Sequence, residues 1–217
     1  PGRQEQKLLW LRCELPEVEV RDPEIFIYSV DYNAEFFIDT KLIHSVGEIG
    51  PDGKGAFIGW PWNLIELPHD FGGKTLYVRV YSDYFDIGLW GSIFIGSAYD
   101  QIRRIFSRDN LRFFIGITSL LISIIFLAIY IFIPGQQSSL YLSMINLCLV
   151  IRVLSHTHIK QFVLNNPLLW EYIKTSSYFL IFVFITLFIQ QFLEPRYQKI
   201  TRILWISFLI LLAAVLV

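Results

Sequence analysis

The sequence predicts a β-sandwich or jelly roll followed by an α-helical transmembrane bundle, and three observations predict it. Residues 113–151 run for 39 positions without a charged side chain. Residues 8–98 alternate apolar and polar positions in short segments separated by turn residues. The charges divide as well: residues 1–110 hold 11 Lys/Arg and 17 Asp/Glu, and residues 111–217 hold 7 and 2, so an overall net charge of −1 conceals −6 and +5. Two compositions of this kind imply two solvents, water for the first part and lipid for the second.

Within the first part, residues 8–15 alternate Leu8 and Trp10 with charged or small neighbours and stop at Pro16. Residues 24–30 place Ile25 and Ile27 on one face and Phe26 and Tyr28 on the other, and Asp31-Tyr32-Asn33 then turns the chain. Residues 34–43 read as the next strand, and Pro51-Asp52-Gly53-Lys54-Gly55 as a polar loop. Residues 75–82 give the clearest strand, with Leu76, Val78 and Val80 alternating against Tyr77, Arg79 and Tyr81, a period of two that suits a sheet and not a helix. Residues 92–98 close the domain. Five strands without an amphipathic helical pattern argue for a sandwich. Cys13 and Cys148 fall in different parts, so packing, not a disulfide framework, must hold this domain together.

Residues 99–112 form a basic joint with Arg103, Arg104, Arg108 and Arg112, suited to lipid headgroups. The uncharged run after it is about twice the roughly 20 residues that one crossing requires. Pro134-Gly135 followed by polar residues divides it into helices over 113–133 and 140–156. A loop over 156–174 carries Asn165-Asn166-Pro167 and Trp170, an interfacial residue type. A third helix covers the uncharged residues 175–193, and a fourth spans 200–217. The chain opens on Pro1 and ends in an apolar run, so it is expected to belong to a longer protein with further helices. Counting Lys and Arg in short loops places the sandwich in the cytoplasm; translocation of a large domain by an upstream signal would reverse that.

Aromatic and polar groups gather in the loops at Trp60-Pro61-Trp62, His69-Asp70, Tyr84 and Trp90. Sugar sites stack ring faces on such side chains and fix hydroxyls with carboxylates. Trp60, Trp62, Asp83, Asp86 and Trp90 are therefore the expected ligand-binding residues, against the alternative that these rings fill the end of the sandwich or rest on the membrane. His156 and His158 lack the third and fourth ligands of a metal site and read as interfacial polar residues. Arg152 either snorkels to headgroups or pairs with Glu171, and Asn146 and Ser143 suit interhelical hydrogen bonds. Arg152 and Asn146 are the expected signal-transfer residues. No nucleophile, phosphate loop or metal constellation suggests an enzyme, a cofactor or a nucleic-acid partner. Lipid and a small-molecule ligand are the expected partners.

WLRCELP (residues 10–16), YSVDYNAEFFIDTKLI (28–43) and LPHDFGGKTLYVRVYS (67–82) are similar to the sugar-binding jelly roll of glycoside hydrolase family 2, with Asp39-Thr40 where that family's turn usually reads Asn-Gly. In that family the jelly roll is an accessory domain, which argues against Asp83 and Asp86 as a catalytic pair. DIGLWGSIFIGSAYDQI (86–102) and SSLYLSMINLCLVIRVL (138–154), joining a sandwich to helices, resemble the bacterial seven-transmembrane receptors with diverse intracellular signalling modules. The resemblance implies a galactose-binding-like sensor outside the inner membrane over residues 1–98, the first four of seven helices over 113–217, and a carbohydrate or other small ligand. It also implies a cytoplasmic output module, most often a GGDEF diguanylate cyclase, and by analogy a homodimer. A transporter and a membrane-anchored carbohydrate-binding protein or enzyme are the competing readings.

Overall fold

The computed structural model describes residues 6–216, and the chain divides into two units, Pro1–Ser107 and Arg108–Val217. The expected start of the sandwich at residue 1 and the end of the fourth helix at Val217 lie outside the described residues.

Seven strands form among the described residues of the first unit: β1 (Leu8–Glu14), β2 (Pro23–Val30), β3 (Asn33–Ile38), β4 (Lys41–Val46), β5 (Asn63–Glu66), β6 (Thr75–Tyr81) and β7 (Leu89–Ser97). They build two antiparallel sheets, ordered β1-β6-β3-β4 and β5-β2-β7. The alternation in β6 sets the inner face: Leu76, Val78 and Val80 are buried, with Ala34, Phe36 and Ile38 of β3 beside them. Ile25 and Ile27 of β2, Ile65 of β5 and the partly buried Ile95 of β7 complete the same core from the other sheet. On the outer face of the larger sheet, Glu35 and Arg79 stand directly opposite and pair at 2.8 Å, with the Arg79 guanidinium over Trp10.

Three strand assignments differ from the sequence reading. Residues 34–43 are not one strand but a hairpin, β3 and β4, because Asp39 takes a positive φ of 53° in the two-residue turn Asp39-Thr40. β5 is too short to show an alternation. In β1 it is Leu9 and Leu11 that turn inward, while Trp10 lies outside against Phe37. The outer face of β2 is not uniformly wet either: Phe26 is only 1% exposed because the Trp62 ring covers it.

The helices are α1 (Ala98–Phe132), α2 (Gln137–Ser155), α3 (Lys160–Val163), α4 (Pro167–Gln190) and α5 (Pro195–Leu216). Four of them, all but α3, are long and apolar enough to cross a membrane. The expected joint over 99–112 is helical and forms the opening turns of α1. Ser97 caps it by accepting from the Asp100 amide at 3.1 Å while its hydroxyl donates to the Asp100 carboxylate. The loop expected over 156–174 is shorter than predicted, because Asn166 caps α4 by accepting from the Leu169 amide and Pro167 occupies the first helical position. Pro195 likewise opens α5. The turn at Pro134-Gly135 lies where predicted, with Gly135 at φ 84°.

Glu24 and Glu66 are direct cross-strand partners, and one Glu24 carboxylate oxygen is buried without a hydrogen bond. Burial, then the Glu66 charge, pushes the Glu24 carboxyl above its usual 4.5. A folded-state value above the unfolded one means that this contribution to stability is full below about pH 4.5 and is lost as pH rises through the folded value. Glu24→Gln is expected to stabilise the chain at pH 7 by roughly 0.5–1 kcal/mol and to have less effect at pH 4, read by thermal unfolding at both pH values. A lower melting temperature for the variant at pH 7 would contradict this.

Candidate functional site

At one end of the sandwich the turn between β2 and β3, the loops 47–62 and 82–88 and the start of β7 converge on a cleft of about 530 Å³. Five of its eight lining residues are aromatic: Tyr28, Trp60, Tyr84, Phe85 and Trp90. The others are Ser29 and the carboxylates of Asp31 and Asp86.

Each wall is positioned by a nameable interaction. A bulge between Ile27 and Ser29 breaks the register of β2 with β7 at Tyr28, and bulges re-aim the side chains they carry. Tyr28 then lies so close to Gly91 that a Cβ there would come within 2.7 Å of the ring. Gly91 also has φ 76°, so glycine is required on two counts. The Trp90 indole N–H donates to Asp31, and the Asp31 amide donates to the Gly88 carbonyl at 3.3 Å, tying the turn to the start of β7. The loop 82–88 is pinned by Ser82, fully buried, whose hydroxyl donates to the Asp86 carbonyl at 2.7 Å and accepts from the Tyr84 amide.

Trp60 arrives on the loop 47–62, which is held by the fully buried Asn33. Its amide donates to the Ala56 carbonyl at 3.0 Å, and it fits only because positions 47 and 55 are glycine. Trp60 and Tyr84 stack at 6.2 Å, and both rings meet Phe57, which with Tyr84 also meets Tyr32. The aromatic wall is thus rigid by mutual packing, yet Phe85 is 93% and Trp90 52% exposed.

Of the residues expected to bind ligand, Trp60, Asp86 and Trp90 line this cleft. Trp62 does not, since it covers Phe26. Asp83 does not either: it pairs with Lys7 and accepts from the Tyr81 hydroxyl at 2.7 Å, joining the start of β1 to the end of β6. The Lys7 hydrogen bond, then that from Tyr81, holds the Asp83 carboxyl below its usual range, and Asp83 in turn pushes the Tyr81 phenol up to about 12. Tyr28, Asp31, Tyr84 and Phe85 were absent from the expected binding set. The cleft unites residues up to about 60 positions apart, and alternation shows which face a side chain takes, not what approaches it.

In the helical unit, Ser123 of α1 and Ser143 of α2 exchange hydrogen bonds, each hydroxyl donating to the other residue's carbonyl at 2.9 Å. Asn146 bonds within its own helix, donating to the Leu142 carbonyl at 2.8 Å. Arg152 sits over the Tyr178 ring of α4 at 4.8 Å, and Glu171, the partner considered for it, pairs with Lys174. The sequence reading overlooked Asp109, which is 0% exposed. One carboxylate oxygen accepts from the backbone amides of His158 and Ile159 at 2.6 and 3.0 Å, and the other from Arg112 at 2.8 Å, with His158 Nδ1 at 3.0 Å. His158 is accordingly buried. A lone carboxylate in a run of arginines before a membrane segment was the available signal. No group of three or more His, Cys, Asp or Glu is placed to hold a metal among the described residues.

Residues 110–217 match the model of the family described as 7TM diverse intracellular signalling. No curated protein and no solved structure matches the chain. The match and the four apolar helices among the described residues make the helical unit a seven-transmembrane-receptor-like region and the chain a membrane protein.

Two substitutions test these placements. Asp109→Ala leaves two amides and a guanidinium without their acceptor and is expected to cost about 3 kcal/mol, seen as a lower melting temperature in detergent micelles. Gly91→Ala is expected to cost about 2 kcal/mol and to change tryptophan emission, since Tyr28 must leave its place beside Trp90. A change within about 0.5 kcal/mol for either would contradict the corresponding placement.

Proposed function

We propose that this chain is the sensor and membrane portion of a bacterial signalling receptor, with the sandwich outside the inner membrane binding a small ligand and the helices passing the signal to a cytoplasmic output module. The observation that carries the reading is the match of residues 110–217 to a signalling membrane family, in a chain whose other unit has an aromatic cleft of about 530 Å³. That volume lies within the range of small-molecule sites.

Several finer features come from the resemblance stated above. The sandwich is of the galactose-binding-like jelly-roll kind, a carbohydrate is the ligand class of its relatives, the output is a GGDEF diguanylate cyclase, and a homodimer is the working assembly. The described residues act by binding and conformational change and not by catalysis. Ligand transmits a signal only by favouring one of two arrangements of the chain, and the shift cannot exceed its difference in affinity for them. Cation–π contact between Arg152 and Tyr178 and the paired serines of α1 and α2 are contacts between helices that such a shift would alter.

The native cysteines provide the test of sidedness. Cys13 is exposed on β1 and Cys148 is buried in α2. A membrane-impermeant maleimide added to intact expressing cells is expected to label Cys13, with the label absent from a Cys13→Ser variant. Labelling only after the membrane is opened would place the sandwich in the cytoplasm and overturn the proposal.

A further inference from the structure

We infer that the cleft binds an organic cation, a quaternary or alkylated ammonium group seated between Trp60, Tyr84, Phe85 and Trp90 and facing Asp31 and Asp86. This names the ligand class of the site proposed above and rests on that reading.

The chemistry of the lining carries the inference. None of the eight lining residues bears an ammonium, guanidinium, imidazole or amide group, while two bear carboxylates. The side-chain donors are two phenols, two indoles and one hydroxyl. At least two of these donors are already engaged, the Trp90 indole on Asp31 and the Ser29 hydroxyl on the Val30 carbonyl. A mostly aromatic wall with two carboxylates and no cationic side chain suits a ligand that brings positive charge. It suits a neutral sugar less, because sugar hydroxyl and ring oxygens must also accept hydrogen bonds.

Aromatic faces supply what carboxylates alone do not. The negative face of an indole or phenol ring attracts a cation within about 6 Å, and alkylated ammonium ions, which hydrate weakly, gain most from such a cage. Trp60 and Tyr84 are stacked with an interplanar angle of 25°, Phe57 lies edge-on to both, and Ser82 fixes the loop that carries Tyr84. The rings are in place before a ligand arrives, so little ordering opposes binding. Phe85, 93% exposed, stands at the rim with no structural task that its burial would indicate.

The experiment uses the whole chain in lipid nanodiscs, with choline as probe and its neutral carbon isostere 3,3-dimethylbutan-1-ol as control. Binding is read by calorimetry and tryptophan quenching at matched ionic strength. Choline is expected to bind at least about tenfold more tightly than the isostere. Asp86→Asn is expected to remove most of that difference, and Phe85→Ala to weaken choline about threefold or more, both at unchanged melting temperature because both side chains are exposed. Equal binding of choline and isostere overturns the cation class. Binding of glucose but not choline also overturns it, while leaving a ligand-binding sandwich standing. No binding of choline or tetramethylammonium up to about 50 mM overturns the inference as well. The cysteine labelling decides sidedness independently of all these outcomes.

Discussion

The absence of charge between Arg112 and Arg152 is the constraint on which the helical unit depends. Hydrocarbon offers backbone groups no partner, so the chain there must be helical, and polar side chains must find acceptors within protein. Most find them on their own helix. Thr118 donates to Phe114, Asn146 to Leu142, Thr186 to Phe182 and Ser207 to Ile203, each to the carbonyl one turn back. Ser123 and Ser143 break that pattern by bonding across α1 and α2, which small side chains permit because they let two backbones approach. Asp109 solves the same problem just before the uncharged run: a buried carboxylate kept by two amides and a guanidinium.

The sandwich obeys the opposite constraint, since water satisfies its exposed edges and its two sheets need only a shared apolar interior. Its end loops are then free to carry rings that contribute little to that interior. Trp60, Phe57, Tyr84 and Tyr32 pack on one another, and the surface they leave is the cleft. Within this cluster Trp60 and Tyr84 line the cleft, and Tyr32 and Phe57 are partly buried against them.

Legibility in the sequence followed the range of the interaction. The period of two in residues 75–82, the uncharged runs and the Pro134-Gly135 break are local signals, and each element they predict is present. Ser97-Ala98-Tyr99-Asp100 and Asn166-Pro167 are local too, and they mark helix starts that a reading by hydropathy alone placed about eight to fifteen residues late. The site is another matter. Asp31 joins it through Trp90, Tyr28 through a bulge and Gly91, and Asp83 leaves it because Lys7 claims it. None of these pairings has a spacing that a single sequence reveals, and Asp109 reaches amides 49 and 50 residues away.

The most direct test of the account is hydrogen exchange of the whole chain in nanodiscs with and without saturating choline. The account predicts slower exchange at the cleft, in residues 28–31, 57–62 and 82–91, together with altered exchange in the helices that Arg152 and Tyr178 connect. Change confined to the cleft would leave a binding domain on a passive anchor and would contradict a receptor.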